Sequence, residues 1–599
     1  MKQRIACTLI LFAILLGALT SCSLLGEGEK QPCKVHAWAP WQVSIAPTAT
    51  SDGLEMRKCQ NCPASETRLV PATGDQNGGD GNGGTQEPPI DDPNCENSHA
   101  DADNNGKCDR CSISVTITLD FFSLNDLHGK LDDTDTQPGV DELTTYLKQA
   151  KAANPNTIFL SAGDMWQGSA ESNLTRGAIM VEWMNALGFT AMALGNHEFD
   201  WGEDAIRENA EKAEFPFLAI NIYNKNTNQR VEYAKPSTMV DLGEVQIGII
   251  GAIGNCYSSI AEDKTREIYF KTGAELTALV KAEAESLRAQ GADFIVYCLH
   301  DGNENDADGS VRPNAMAGYY DAELSNGLID LVFEGHTHQF YSQEDKYGVA
   351  HLQNGGENKG LAHANVTLNF ANKKANVTAK IVPAKTYKTY AADPLIDELL
   401  AKYDAIIGGA HDVLGYNASY LNSNQIKAIV AKLYYEKGVE IWGDEYDIVL
   451  GGGYIGVRSP YNLPVGNVTY ADLLMLLPFD NDIILCSIPG AYIESRFFTN
   501  ADYAIGYGDY GASVKDHVDK NKTYYVIVDS YCADYYYNML TEVDRLEGGI
   551  YARDLMADYA RAGGLSGKSN AMHSEGGTIL LAACLLPSEI EEVILSSRH

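Results

Sequence analysis

Between Ile113 and His338 the chain returns six times to a short apolar run rich in β-branched and aromatic residues, and five of these runs end in groups able to bind cations. VTITLDFFSL leads into Asn125-Asp126-Leu127-His128-Gly129, and NTIFLSA into Gly163-Asp164-Met165-Trp166-Gln167-Gly168-Ser169. TAMAL leads into Gly195-Asn196-His197-Glu198-Phe199-Asp200, ADFIVYCL into His300-Asp301-Gly302, and IDLVF into Glu334-Gly335-His336-Thr337-His338. Only VQIGIIGAI ends without a candidate ligand. Such runs, with helix-like segments between several of them, predict α/β units. In open sheets of that kind, ligands bind at the carboxyl ends of the strands. The pattern therefore predicts Asp, His and Asn side chains delivered to one edge of the fold.

Those residue types suit a two-metal site. A carboxylate can bridge cations about 3.5–4 Å apart, while imidazoles and an amide oxygen complete each shell. Metals held in this way generate hydroxide near neutral pH and bind the oxygens of a phosphoryl group. A lone Asp-x-His or His-x-His is commonly an ordinary loop. Five such elements at successive strand ends are far harder to explain as loops.

The ordered set NDxHG, GDxxQGS, GNHEFD, H-x-G and GHTH resembles the 5′-nucleotidase and UDP-sugar hydrolase branch of the calcineurin-like metallophosphoesterases, from about Ile113 to near the C-terminus. The resemblance implies an αββα sandwich followed by a 5′-nucleotidase C-terminal α/β domain. It also implies that Asp126, His128 and His338 hold one metal, that Asn196, His300 and His336 hold the second, and that Asp164 bridges the two; zinc or manganese is expected. Some members carry glutamine where His338 stands, and histidine is the stronger imidazole ligand. His197 matches the family's catalytic histidine and Asp200 the aspartate that orients it. Independent chemistry supports this dyad, because a cationic imidazole beside the metals stabilises charge building on a hydrolysed phosphoester. A carboxylate three residues away fixes the ring's tautomer and favours its charged form. Glu198 reads as structural.

The second half has its own signature. Asp393 to Ile407 has helical periodicity with Pro394 near its start, and looks like the family's inter-domain helix. Gly451-Gly452-Gly453-Tyr454-Ile455-Gly456-Val457-Arg458 resembles the family's Asn-x-Gly-Gly-x-Arg loop. Leu476-Leu477-Pro478-Phe479 matches the Leu-Pro-Phe that supplies one face of a base-stacking clamp, and Tyr531 falls where the opposing aromatic lies. Two rings gripping a planar base need no hydrogen-bond code. Arg458, Phe479 and Tyr531 are thus the expected substrate contacts. Departures from the pattern fall in this half. Gly451 replaces the loop's asparagine, an arginine expected before Asn424 is absent, and the ribose-binding Gly-Gly-Asp-Gly stretch reads Asp534-Tyr535-Tyr536-Tyr537-Asn538. Losing an arginine weakens anion capture away from the metals, so phosphoester hydrolysis is a firmer expectation than one nucleotide. 5′-Nucleotidase leads, ahead of 2′,3′-cyclic-nucleotide phosphodiesterase or UDP-sugar hydrolase. A surface binding lipoprotein on an inert phosphoesterase scaffold is the reading of a different class.

The N-terminal fifth serves other ends. Lys2 and Arg4 precede the apolar stretch Ile5–Leu19, too short for an ordinary membrane span, and Leu19-Thr20-Ser21-Cys22 resembles a bacterial lipobox in which Cys22 is lipidated. An exported lipoprotein at the cell surface or in the periplasm follows, touching the membrane through its lipid alone. Six of the thirteen cysteines then form two similar sets. Cys33 and His36 go with Cys59 and Cys62, and Cys95 and His99 with Cys108 and Cys111. Three thiols and one imidazole suit a closed zinc site, and export also permits disulfides. Asp101-x-Asp103-x-Asn105-Gly106 opens like a calcium loop, but Ser112 stands at its distal glutamate position. Five more cysteines, Cys256, Cys298, Cys486, Cys532 and Cys584, sit singly in apolar surroundings and read as small core residues.

The expected order is a signal peptide (1–22), a first Cys/His module (23–73), a Gly-rich linker (74–93) and a second module (94–112). The metallophosphoesterase domain (113–390), the inter-domain helix (391–409) and the substrate-binding domain (410–599) complete it. A formal charge of −36 argues against a nucleic-acid polymer as partner, since phosphate backbones need a basic footprint. A small anionic nucleotide or phosphoester stays possible where the site brings its own cations. No protein partner is inferable.

Overall fold

The computed structural model describes residues 39–40, 42–45, 53–58, 65–70, 99–131, 133, 138–303, 320–458, 462–493, 504–509, 511–536, 538–546 and 549–566. Cys22, Cys33, His36, Cys59, Cys62 and Cys95 lie outside them, as does the Gly-rich linker. Two units part between Pro89 and Ile90. In the first, the strands Gln42–Ile45, Gly53–Lys58 and Ser65–Val70 pair antiparallel in that order.

In the second unit, alternation along each strand builds two sheets. The first sheet runs in the order Lys374–Pro383, Gly360–Asn369, Thr116–Leu124, Thr157–Ser161, Ala191–Ala193 and Phe217–Leu218. Its last four strands are parallel neighbours. The second sheet runs Phe340–Glu344, Ala350–Asn354, Leu331–Glu334, Phe294–His300, Gln246–Ile253 and Ser237–Asp241, with its middle four strands parallel. Every residue of Thr157–Ser161 and of Phe294–His300 is buried, which is why these segments read as continuous apolar runs.

Leu119 and Phe121 point between the sheets, where they meet Val296 and Phe333, and the Phe121 and Phe294 rings stack across the gap at 5.7 Å. Phe122 and Leu124, one step along the same strand, pack instead with Leu143 and Trp183 of the helices Asp141–Ala153 and Ala178–Leu187. Ile250 and Tyr297 do the same for the second sheet, against Leu276 and Val280 of the helix Gly273–Ala289. Each fully buried Phe or Leu in these layers contributes about 1.5–3 kcal/mol. Two helix layers thus enclose two sheets, as the resemblance implies.

Beyond the sandwich, a helix at Leu395–Ile407 leads into the last region. It starts two residues later than the periodicity suggests, because the Asp393 carboxylate accepts the Leu395 N–H at 3.0 Å and so caps the helix instead of joining it. A five-stranded mixed sheet follows, in the order Ala504–Tyr507, Ile448–Tyr454, Thr523–Asp529, Ile483–Pro489 and Thr541–Leu546. The helix Ser423–Trp442 covers one face of it, begun by a reciprocal cap between Asn422 and Gln425.

Candidate metal centre

The loops that leave the parallel strands interlock at one edge. Asp126 N–H donates to Gly163 O at 2.9 Å, His128 N–H to Asp164 O at 3.1 Å and Gly335 N–H to Asp301 O at 3.0 Å. His336 N–H donates to both oxygens of Asp126, at 3.0 and 2.9 Å. Asp126, His128, Asp164, His336 and His338 all have positive φ, between 50° and 69°. For non-glycine residues such backbone costs of order 1–3 kcal/mol each, and it clusters where function demands it. The room is made by glycine. A Cβ on Gly195 would strike the Asp164 carboxylate, and one on Gly163 would lie 2.6 Å from His300 Nδ1.

Seven side chains named by the sequence patterns converge here. His128 Nε2 lies 3.2 Å from His338 Nε2, and His338 Nε2 lies 3.4 Å from Asp126 Oδ1. His300 Nε2 lies 3.2 Å from Asp164 Oδ2 and 3.1 Å from Asn196 Oδ1, while His336 Nδ1 is 3.0 Å from that amide oxygen. The opposite nitrogens of two rings are tied to backbone, His128 Nδ1 to Gln167 O at 2.7 Å and His300 Nδ1 to Ala162 O at 2.6 Å. A second partner of this sort fixes the tautomer and turns the other nitrogen into the cluster. Asp126, His128 and His338 form one group of donors within 4.8 Å, and Asp126, Asp164 and His300 another. Carboxylate, imidazole and amide oxygen in two adjoining groups form a donor set that fits a pair of divalent cations.

The electrostatics agree with that use. Burial pushes the Asp164 carboxyl up, but His300, His197 and His128 outweigh it and hold it well below the usual range. Burial lowers His336 to about 4 and drives His128 well below its ordinary value, leaving both rings neutral with lone pairs to donate. His300 is the exception: burial opposes its charge, yet Asp164 lifts it to about 10.

His197 stands beside the cluster. Its backbone N–H donates to Asp164 Oδ1 at 2.8 Å, and its Nδ1 faces Asp200 Oδ2 at 2.8 Å. Burial works against a charge on this ring, but Asp200 and Asp164 together raise its pKa. Its centroid is 5.2 Å from that of His128 and 6.4 Å from that of Phe479, with the latter ring tilted by 27°. Arg458 also arrives from the C-terminal half, donating to Gln167 O at 3.3 Å and to Gln167 Oε1. The same Gln167 carbonyl therefore meets both His128 and Arg458. Tyr531 lies against Tyr454, with centroids 5.3 Å apart, and Phe479 shares a small hollow with Tyr434, Asn481 and Asp529.

Some contributors are not among the expected ligands. Glu198 is fully buried, and its carboxylate accepts N–H groups from Asp164 at 2.9 Å, Met165 at 2.8 Å and Gly195 at 2.7 Å. It clamps the two loops that carry Asp164 and Asn196; burial and the nearby Asp164 charge raise its pKa to about 7. Cys256 groups with His300 and His336 and donates its thiol to His300 O at 2.9 Å, so it lies nearer the cluster than a generic core residue. Lys130, directly after the first motif, is buried and lowered by burial to about 8 despite Glu357. No pattern marks Cys256 or Lys130; only adjacency in sequence to a motif hints at the lysine.

Comparisons with known proteins fall on the same region. Residues 121–340 match the family model described as calcineurin-like phosphoesterase. The chain is 27% identical over 446 residues to Protein UshA of Yersinia enterocolitica, covering 66% of this chain and 78% of that protein. It is 25% identical over 426 residues to the human 5′-nucleotidase, covering 63% and 71%. Among solved structures, a 5′-nucleotidase precursor from Thermus thermophilus superposes with a TM-score of 0.58 at 18% identity, over 74% of this chain and 96% of that one. That likeness shows the fold.

Proposed function

We propose, from the premise that this chain carries a calcineurin-like phosphoesterase domain and is a hydrolase of phosphoric ester bonds, that it releases phosphate from extracellular nucleotides in the manner of a 5′-nucleotidase. The observation that carries the reading is the convergence of two carboxylates, four imidazoles and an amide oxygen from five strand ends. Asp126, His128 and His338 would hold one divalent cation and Asn196, His300 and His336 the other, with Asp164 reaching both. When bound, such a pair acidifies water and screens the charge of phosphoryl oxygens; zinc and manganese both suit the donors.

The remaining work falls to the chain's own groups. His197, its charge favoured by Asp200, stabilises the negative charge that grows on the ester oxygens. Arg458, anchored on Gln167, places a fixed positive charge beside His128. Phe479 offers a ring face next to His197 for a planar base, with Tyr531 as the second wall. The relatives named 5′-nucleotidase support a nucleotide as substrate. The absent arginine and altered ribose stretch leave its base and sugar open to several choices. Among the described residues, no helix is long and apolar enough to cross a membrane. Export as a lipoprotein anchored through Cys22 completes the reading.

A panel of nucleoside monophosphates, 2′,3′-cyclic nucleotides, UDP-sugars and an aryl phosphate, assayed with manganese or zinc, tests it. Preference for nucleoside monophosphates is expected. Turnover of the aryl phosphate alone would overturn the nucleotide reading, and turnover of nothing would favour the binding lipoprotein.

A further inference from the structure

A second set of metal-binding donors lies at the N-terminal edge of the sandwich. His99 Nδ1, Cys108 Sγ and Cys111 Sγ all fall within 4.8 Å of one another. His99 Nδ1 is 3.7 Å from Cys111 Sγ, and the two cysteines are buried without a disulfide between them. Cys108 to Cys111 is a tight turn, closed by Cys108 N–H to Ile113 O at 2.9 Å and Ser112 N–H to Cys108 O at 2.8 Å. Ser112 pays for that closure with a φ of 62°. The turn directs the backbone N–H groups of Arg110 and Cys111, together with that of Ala100, at Cys108 Sγ. Donors aimed at sulfur favour the thiolate, the form in which cysteine binds a metal.

We propose that His99, Cys108 and Cys111 hold a structural zinc ion. Two thiolates and an imidazole are a donor set that zinc prefers over magnesium, calcium or manganese. Geometry gives a check. Tetrahedral zinc with Zn–S of about 2.3 Å and Zn–N of about 2.0–2.1 Å places sulfur and nitrogen about 3.6 Å apart, against the 3.7 Å found between Cys111 and His99. A disulfide would leave the imidazole aimed at Cys111 without a purpose. Among the described residues these three donors converge, and water can fill the fourth position.

The ion has something to fasten. Cys108, Cys111 and Val115 pack on Phe370 and Ala371, in the turn between the strands Gly360–Asn369 and Lys374–Pro383. The His99 ring meets Phe370 edge-on at 6.0 Å. Asn369 Nδ2 donates to Asp101 Oδ2 at 2.6 Å, and the Asn105 and Gly106 N–H groups donate to the same carboxylate. The carboxylate that opens the calcium-like pattern thus locks its own loop to the hairpin. Val115 O accepts the Phe370 N–H at 3.0 Å, and Thr116 then pairs with Asn369. The zinc module therefore staples the start of Thr116–Leu124 to its neighbour, about 30 Å along that strand from Asp126 at its other end. It is a clamp on the sheet, remote from the reacting centre.

The test is metal-protected alkylation of the intact, as-purified chain, read by peptide mass spectrometry. Cys108 and Cys111 should resist labelling in zinc, become labelled after chelation and regain protection when zinc is restored; Cys298 and Cys486 should stay unlabelled throughout. His99→Ala should weaken zinc retention at these two cysteines by at least the roughly 10–100-fold that loss of an outer-shell partner costs a metal site. Asp164→Asn should leave the protection intact, which separates this site from the phosphoesterase centre. Labelling that ignores chelator and zinc, or a Cys108–Cys111 disulfide in the purified protein, would overturn the proposal.

Discussion

Glu198 offers a demanding test of how the centre is built, because its carboxylate touches only backbone. It takes N–H groups from Asp164 and Gly195 on one oxygen and from Met165 on the other. In Glu198→Gln the amide oxygen can keep the first two, leaving the Met165 N–H facing an NH2 group. A stranded buried donor costs about 1–3 kcal/mol, roughly 5- to 150-fold in an equilibrium constant. The affected loops deliver Asp164 and Asn196, so part of that cost should appear as weaker cation binding, in the range of about 10–100-fold for an outer-shell partner. Glu198→Ala strands all three donors and should be worse in both stability and metal retention. Calorimetric titration of the metal-stripped protein with manganese, alongside kcat/KM for an aryl phosphate at low and saturating manganese, reads the effect. Glu198→Gln activity should recover with excess metal. If both variants bound cations and turned over as the parent does at low metal, the clamp would be packing only and the reasoning would fail.

Other expectations can be checked in the same preparations. Asp164→Asn should abolish metal-dependent turnover, since in the proposed arrangement one carboxylate serves both cations; activity near that of the parent would reject bridging. His197→Ala should slow turnover by about 10²–10⁴-fold with metal content measured by mass spectrometry unchanged, and loss of metal would make it a ligand. Phe479→Ala should raise KM for a nucleotide by the loss of about 1–3 kcal/mol of stacking while sparing a non-aromatic alkyl phosphate; an equal effect on both would remove the clamp. Asp529 is fully buried, and burial raises its carboxyl from 3.8 to about 7 despite the Cys532 N–H it accepts. A raised carboxylate pKa means the fold keeps a proton that the unfolded chain releases, so stability falls as pH rises from about 4 to about 7, by about 4 kcal/mol. Asp529→Asn retains the cap on Cys532 but cannot ionise. Its Tm should decline less over that interval than the parent's, and parallel curves would refute the assignment.

Much of the sandwich was legible because its central strands are buried on both faces. A run such as TIFLS needs no partner to announce itself as a strand when every residue is apolar or hidden. Order along the chain then gave the edge at which the loops meet. The start of the helix Leu395–Ile407 was not legible to the residue, since Asp393 has the composition of a helix and the geometry of a cap, and only the Leu395 N–H decides between them. The substrate side was harder still. Leu-Pro-Phe marked Phe479 as one face of a clamp, but only the fold sets that ring beside His197 and packs Tyr531 on Tyr454, neighbours that no spacing relates to them.

The centre itself divides along a physical line. The seven side chains proposed to reach a cation with their own atoms are all Asp, His or Asn, and residue type at the strand ends exposed them: Asp126, His128, Asp164, Asn196, His300, His336 and His338. Groups that act through backbone carry no such mark. Gln167 serves with its carbonyl, which His128 Nδ1 and Arg458 share, and a carbonyl belongs to every residue. Glu198 serves by accepting three amides, a task visible only once two loops separated by some thirty residues of chain are brought against each other. The shared Gln167 carbonyl also gives Arg458 a task beside its proposed contact with substrate. There the second half of the chain leans on the carbonyl that holds His128, so Arg458→Lys, which keeps the charge but loses the planar fork, should loosen His128 as well as the substrate. A fall in manganese affinity accompanying the rise in KM would show both effects, whereas a rise in KM alone would confine Arg458 to the substrate.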